Sequence, residues 1–189
     1  MASTTFVKFN LGPYTVSFDT GIVDDYAVNK LESVSHDLIY RNSEGKPIKC
    51  IIYTAIVTNE AKNDGVYVQL WKYDSFMSAG EKRKLYEESS LSIPKQGNWI
   101  TNTHPHQIAG MDGIVVLFTP LDKIDINLGE YARAKLRDDH VHAGSYWPDE
   151  KKLGPVLSKF SVWASFISTY PWNGGAENIL NSFEVRSTD

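Results

Sequence analysis

Lys49-Cys50-Ile51-Ile52-Tyr53-Thr54-Ala55-Ile56-Val57-Thr58, then Asn63-Asp64-Gly65, then Val66-Tyr67-Val68-Gln69-Leu70-Trp71-Lys72-Tyr73, is the stretch that decides the fold. Both long runs are crowded with β-branched and aromatic side chains, which fit a pleated, half-buried surface. The short link between them ends in Asp-Gly, and glycine there supplies the positive φ that a tight turn demands. The stretch predicts a β-hairpin.

The same logic works outward in both directions. Upstream, Val7, Phe9 and Leu11 alternate with Lys8 and Asn10, and after Gly12-Pro13 the alternation resumes with Tyr14, Val16 and Phe18. Period two puts every second side chain on one face, so this is a pair of half-buried strands broken by a turn. Segment 22–40 reads as strand, although 24–35 also admits a weak helix. Downstream, Ser78 followed by Glu81 has the spacing of a capping box and opens a charged surface helix over 79–90, ended by Pro94. Ile108–Gly110 and Ile114–Phe118 flank Met111-Asp112-Gly113 and predict a second hairpin turning there. Residues 123–137 are open between strand and helix. His140–Trp147 and Phe160–Thr169 read as strands, the latter with Phe160, Val162, Ala164 and Phe166 on one face and Trp163 and Ile167 on the other. After Asn173-Gly174-Gly175, the helical spacing of Ala176, Ile179, Leu180 and Phe183 gives one apolar stripe. Val185 begins a last strand.

Many strands in hairpins with few helices between them point to an α+β fold, an antiparallel β-sheet flanked by a few helices. The chain has 189 residues and no internal repeat or linker, which predicts a single domain over 1–189. Hydrophobic residues make up 42% and charged ones 22%, as in ordinary globular proteins. The net charge of −4 offers no basic footprint for nucleic acid and no basic patch for anionic lipid. No apolar run is long enough for a membrane span. One cysteine, Cys50, rules out an internal disulfide and reads as a small buried side chain. The start, Met1-Ala2-Ser3-Thr4-Thr5, lacks a signal-peptide pattern. The expectation is a cytoplasmic protein as the sequence stands, or an exported one from which a leader has been removed.

Four short motifs resemble one group of proteins. Gly12-Pro13-Tyr14-Thr15-Val16-Ser17-Phe18-Asp19 and Ser168-Thr169-Tyr170-Pro171-Trp172 are similar to the opening strand and the close of uncharacterised proteins of methanogenic archaea. Ile108-Ala109-Gly110-Met111-Asp112-Gly113 resembles their central hairpin turn, and Tyr146-Trp147-Pro148-Asp149 a stretch before their penultimate strand. The matching pieces are spread over roughly 12–185. The resemblance implies a PsbP-like fold, as found in accessory and interaction proteins, many of them exported or lipid-anchored. This chain departs from the group in lacking a leader and in extra residues around 120–145. The resemblance carries over no catalytic residue.

Among chemistry-bearing patterns, two His-x-His pairs come first: His104-Pro105-His106 and His140-Val141-His142. Residues two apart on a strand share a face, so one pair can reach one divalent metal such as zinc, with Asp138 and Asp139 completing the set. Pro105 makes the first pair a loop feature, and exposed histidines near turns are the commoner case. Ser145, Ser161 and Ser168 lie in or near strands, but no Gly-x-Ser-x-Gly elbow is present. The glycines have neither dinucleotide-binding nor P-loop spacing. Adjacent acids such as Asp24-Asp25 and Asp149-Glu150 point different ways on a strand and solvate a surface. Trp99, Trp147, Trp163 and Trp172, with Tyr146 and Tyr170, can form a stacking platform for sugar rings or a protein partner, although core packing is the more frequent fate of aromatics. The candidate ligand-binding residues are Tyr146, Trp147, Tyr170 and Trp172, those beside prolines. The expected function is a non-enzymatic binding or interaction domain without a cofactor, serving as an accessory or cell-surface protein for a protein or small ligand. The alternative is a metal-binding protein or metal-dependent enzyme using His104, His106, His140 and His142.

Overall fold

The computed structural model describes residues 4–41, 44–59, 64–84, 99–120, 141–170 and 172–188. The hairpin that decides the fold is there: β5 (Pro47–Asn59) and β6 (Asp64–Tyr73) pair antiparallel from Cys50↔Tyr73 to Asn59↔Asp64. Before it come β1 (Thr4–Leu11), β2 (Tyr14–Asp24), β3 (Tyr26–Lys30) and β4 (Val34–Arg41). After it come β7 (Trp99–Ile108), β8 (Met111–Pro120), β9 (Val141–Tyr146), β10 (Val162–Ser168) and β11 (Glu184–Ser187). Segment 24–35 is therefore extended rather than helical.

These strands form two sheets, an eight-stranded one in the order β3-β5-β6-β10-β9-β8-β7 and a three-stranded one in the order β1-β2-β11. Strand β4 also pairs with β5, beside the Cys50 end, while β3 takes the Asn59 end. Every pairing is antiparallel. Among the described residues helices are few: 79–84, Gly154–Leu157 and Ala176–Ser182, with single 3-10 turns at Glu150–Lys152 and Trp172–Gly174. The molecule is an α+β fold assembled from hairpins, and among its described residues no helix is long and apolar enough to cross a membrane.

Alternation along each strand builds the core. Ala55 and Val57 of β5, Val66, Val68 and Leu70 of β6, and Val162, Ala164 and Phe166 of β10 face the small sheet. They meet Val7, Phe9 and Leu11 of β1 and Tyr14, Val16 and Phe18 of β2, with Ile179 and Leu180 of the C-terminal helix filling the side. Phe183, at the helix end, stacks on Phe166 (centroids 4.3 Å) and on Phe18 (5.9 Å) and so joins both sheets and the helix. Removing such a ring from water contributes about 1.5–3 kcal/mol. The helix is anchored to β2 by the Asp19 N–H, which donates to Ser182 Oγ at 2.7 Å.

The capping box at the start of 79–84 forms as its spacing predicts. The Ser78 N–H donates to Glu81 Oε2 at 2.8 Å, and the Glu81 N–H donates back to Ser78 Oγ at 3.2 Å. Residues 85–90 and Pro94 lie outside the described part, as does the whole of 123–137. The second hairpin exists, but its turn is Ala109-Gly110 and not Met111-Asp112-Gly113. Ala109 (φ 52°) and Gly110 (φ 79°) both adopt the left-handed conformation, as a two-residue primed turn requires. Met111 through Gly113 already pair within β8, so the Asp-Gly signal belongs to a strand there. Pro105 is likewise inside β7, an edge strand of the large sheet, where its missing N–H costs no ladder bond.

Candidate functional site

The large sheet has a second face, and its side chains fall into three rows set by strand register. In the first, Ile52 stands opposite Trp71 and Trp71 opposite Trp163. Trp147, just beyond β9, continues this row with its ring edge-on to Trp163, centroids 4.9 Å apart. In the second row Thr54 faces Gln69, Gln69 faces Ser165, and Ser165 faces Ser145. In the third, Ile56 faces Tyr67, Tyr67 faces Ile167, and Ile167 faces Ala143. Neighbouring strands lie about 4.8 Å apart and rows about 7 Å apart, so each row spans roughly 14 Å across four strands.

Most of these side chains are half-buried; Thr54 and Ile56 are buried. The polar row is internally organised. Gln69 Nε2 donates to Tyr67 Oη at 3.0 Å and to Thr54 Oγ1 at 3.5 Å, while Trp71 Nε1 donates to Gln69 Oε1 at 3.4 Å. Ser145 Oγ bonds Ser165 Oγ at 3.3 Å. Burial raises the Tyr67 phenol above its ordinary pKa, against the hydrogen bonds to Thr54 and Gln69 that lower it, so it remains a neutral donor at physiological pH. At the end of the indole row a small cluster of Ile48, Cys50, Tyr73 and Met77 closes the face, with Ile52, Trp71, Trp147 and Trp163 packed against it. Lys82 pairs with Glu150 and sits 5.5 Å from the Trp147 ring, tying helix 79–84 to that corner. Cys50 is a buried structural thiol, as its apolar surroundings in sequence predict.

The four aromatics singled out from sequence are not brought together on one surface. Tyr146 and Trp147 are neighbours on an extended segment, so alternation sends Tyr146 into the main core and Trp147 to the second face. Tyr170 is 1% exposed and packs in the main core, whereas Trp172 is 38% exposed. Trp172 lies against His142, ring centroids 5.5 Å apart. Of the candidate platform, Trp147 and Trp163 join the three rows. The members missed in sequence are Trp71, Gln69, Tyr67 and Ser165. Their signal was present, since Tyr67, Gln69 and Trp71 alternate with Val66, Val68 and Leu70.

Of the four candidate histidines, the described residues include the side chain of His142 alone. His104 and His106 lie on β7, and their side chains fall outside the described part. His140 lies outside the described residues entirely, with Asp138 and Asp139. His142 is on β9, and β8 separates it from β7, so two strand spacings, about 10 Å, divide the backbones. The register adds a further step: His104 pairs with Val115 and His142 with Leu117. Among the described residues no cluster of three or more His, Cys, Asp or Glu side chains is arranged to hold a metal ion.

Ser168 stands directly opposite His142, and both are buried. Ser168 Oγ, however, accepts the Tyr170 N–H at 3.2 Å. Asp64 is on β6, with β10 between it and the strand of His142. Comparison of the chain with protein-family models, with curated proteins and with solved structures returns no match.

Proposed function

We propose that the protein is a non-enzymatic binding domain whose ligand surface is the second face of the large sheet, and that a carbohydrate chain is the ligand class it fits. The observation carrying this reading is the Thr54–Gln69–Ser165–Ser145 row running in register beside the Ile52–Trp71–Trp163–Trp147 row. A sheet face that served only as packing surface would be apolar throughout. Here an amide and three hydroxyls cross the four central strands, aligned by mutual hydrogen bonds. Sugar rings carry C–H hydrogens on their faces and hydroxyls at their edges. Indole π-faces are negative and receive the former, while the amide and hydroxyl row, already oriented, receives the latter. The resemblance to accessory and interaction proteins supports the same class of function, including an accessory or cell-surface role.

The test is titration of the protein with a panel of soluble oligosaccharides, followed by calorimetry and tryptophan fluorescence. Binding by at least one neutral oligosaccharide, with quenching that disappears in Trp71→Ala and Trp163→Ala, is the expected result. A panel in which no oligosaccharide binds, or binding unaffected by both substitutions in folded protein, overturns the reading.

A further inference from the structure

The core face of the large sheet is covered by the small sheet only as far as Tyr53. Gly12, in the β1–β2 turn, lies so close that a Cβ there would be 2.6 Å from the Tyr53 ring, and Tyr14 meets the same ring edge-on at 6.4 Å between centroids. One pair further along the strands comes the register row Ser35–Ile51–Lys72–Val162, beyond the reach of that turn. At this end a hollow of about 380 Å³ opens, lined by Ser35, Lys49, Ile51, Lys72, Asp74 and Phe160. Cys50 contributes main chain to its floor, because alternation sends the thiol to the opposite face with Ile48, Tyr73 and Met77. The volume falls in the range of small-molecule sites, roughly 300–1,000 Å³.

Its chemistry is divided between an apolar floor and a charged rim. Ile51 and Phe160 supply the floor. Lys49 and Lys72 bring two positive charges and Asp74 one negative, and the strand register sets Asp37 opposite Lys49. Neither ammonium is in an ion pair with a carboxylate among the described residues. Lys72 Nζ lies 4.0 Å from the centroid of the Phe160 ring, so the cation is held over the floor and not left to sweep through solvent. The walls are tied together, since the Asp74 N–H donates to Lys49 O and the Tyr73 N–H to Ser161 O, both at 2.9 Å. Such a site meets a ligand with its geometry already formed.

We infer that this hollow binds a small organic acid, with an apolar or aromatic body seated on Ile51 and Phe160 and a carboxylate between Lys72 and Lys49. A neutral ligand would leave both ammonium groups without an ion-pair partner, and a fully hydrated anion would gain nothing from the floor. The site is on the opposite side of the sheet from the indole and amide rows and stands independently of their role.

Benzoate is the probe, followed by amide chemical shifts of the ¹⁵N-labelled full chain. The expected result is saturable shifts confined to residues 35, 49–51, 72–74 and 160. Benzyl alcohol, the same ring without the charge, should bind about tenfold more weakly, the scale of one charge-assisted contact. K72Q and K49Q should each weaken benzoate by a similar factor, while K72R retains binding. The exposed position of Lys49 makes K49Q a safe second variant if K72Q disturbs the fold. Absence of saturable shifts, shifts mapping elsewhere, equal affinity for benzyl alcohol, or unchanged binding in folded K49Q and K72Q overturns the inference.

Discussion

Gly144 stands directly opposite Phe166 on strands β9 and β10, and the Phe166 ring fills the space a side chain at 144 would need. A Cβ built on Gly144 would lie 2.4 Å from Phe166 Cζ. The ring has nowhere to retreat, because it is 2% exposed and stacked on Phe183 at 4.3 Å. Gly144→Ala should therefore destabilise the protein by about 1–3 kcal/mol through overpacking. Urea unfolding of the variant checks this, and an unchanged midpoint would show that the core repacks freely.

Phe183 is the joint between the two sheets. Besides its stacked contacts with Phe18 and Phe166 it meets Tyr146 edge-on, centroids 6.2 Å apart. Phe183→Ala should cost about 3–5 kcal/mol, the scale of a fully buried aromatic truncation. Thermal unfolding measures the loss; a cost below about 1 kcal/mol would mean that the sheets are held together elsewhere.

Gln69 separates the binding role of the polar row from its structural one. Gln69→Leu removes the acceptor for Trp71 Nε1 and the donor to Tyr67 Oη, in a half-buried setting where each net hydrogen bond is worth about 0.5–1.5 kcal/mol. The folded protein should persist with a modest drop in stability, while oligosaccharide affinity falls about tenfold or more. Paired melting curves and calorimetric titrations read the two effects. Full affinity in a folded Leu variant would assign Gln69 a packing role alone.

The buried tyrosines set the alkaline limit of stability. Burial, the largest cause in each, pushes the phenols of Tyr14, Tyr73, Tyr146 and Tyr170 well above the usual value of 10.0. A pKa raised by folding means that the folded state holds protons the unfolded chain releases. The stabilisation is thus complete below pH 10 and is lost as pH rises past it, with slope set by the difference in bound protons. Ultraviolet difference titration should show these four phenols ionising only with unfolding. A single smooth titration of all ten tyrosines in folded protein would contradict this.

The hairpin β5–β6, the β1–β2 pair and the C-terminal helix were legible because each is written locally. Alternation, an Asp-Gly turn and helical spacing act between near neighbours, and the Ser78–Glu81 box likewise needs three residues of context. The turn at Ala109-Gly110 was misplaced because an Asp-Gly two residues later gave the stronger local signal. Alternation also contained the division of Tyr146 from Trp147, which grouping by proximity to proline obscured.

By itself, then, the sequence determined the β1–β2 and β5–β6 pairs and the strands β9 and β10, and that hairpins dominate an α+β fold, but not β7, where Pro105 reads as loop. Only the tertiary structure decided that β10 lies beside β6 and β9, which sets Trp163 against Trp71 and Ser165 between Gln69 and Ser145. It also decided that β11 closes the small sheet beside β2, and that the small sheet stops short of the Lys49–Lys72 end of the large one. The physical reason is that backbone ladders are alike in every strand. The partner of a strand is chosen by which faces together bury the most apolar surface, and that sum is made over the whole chain.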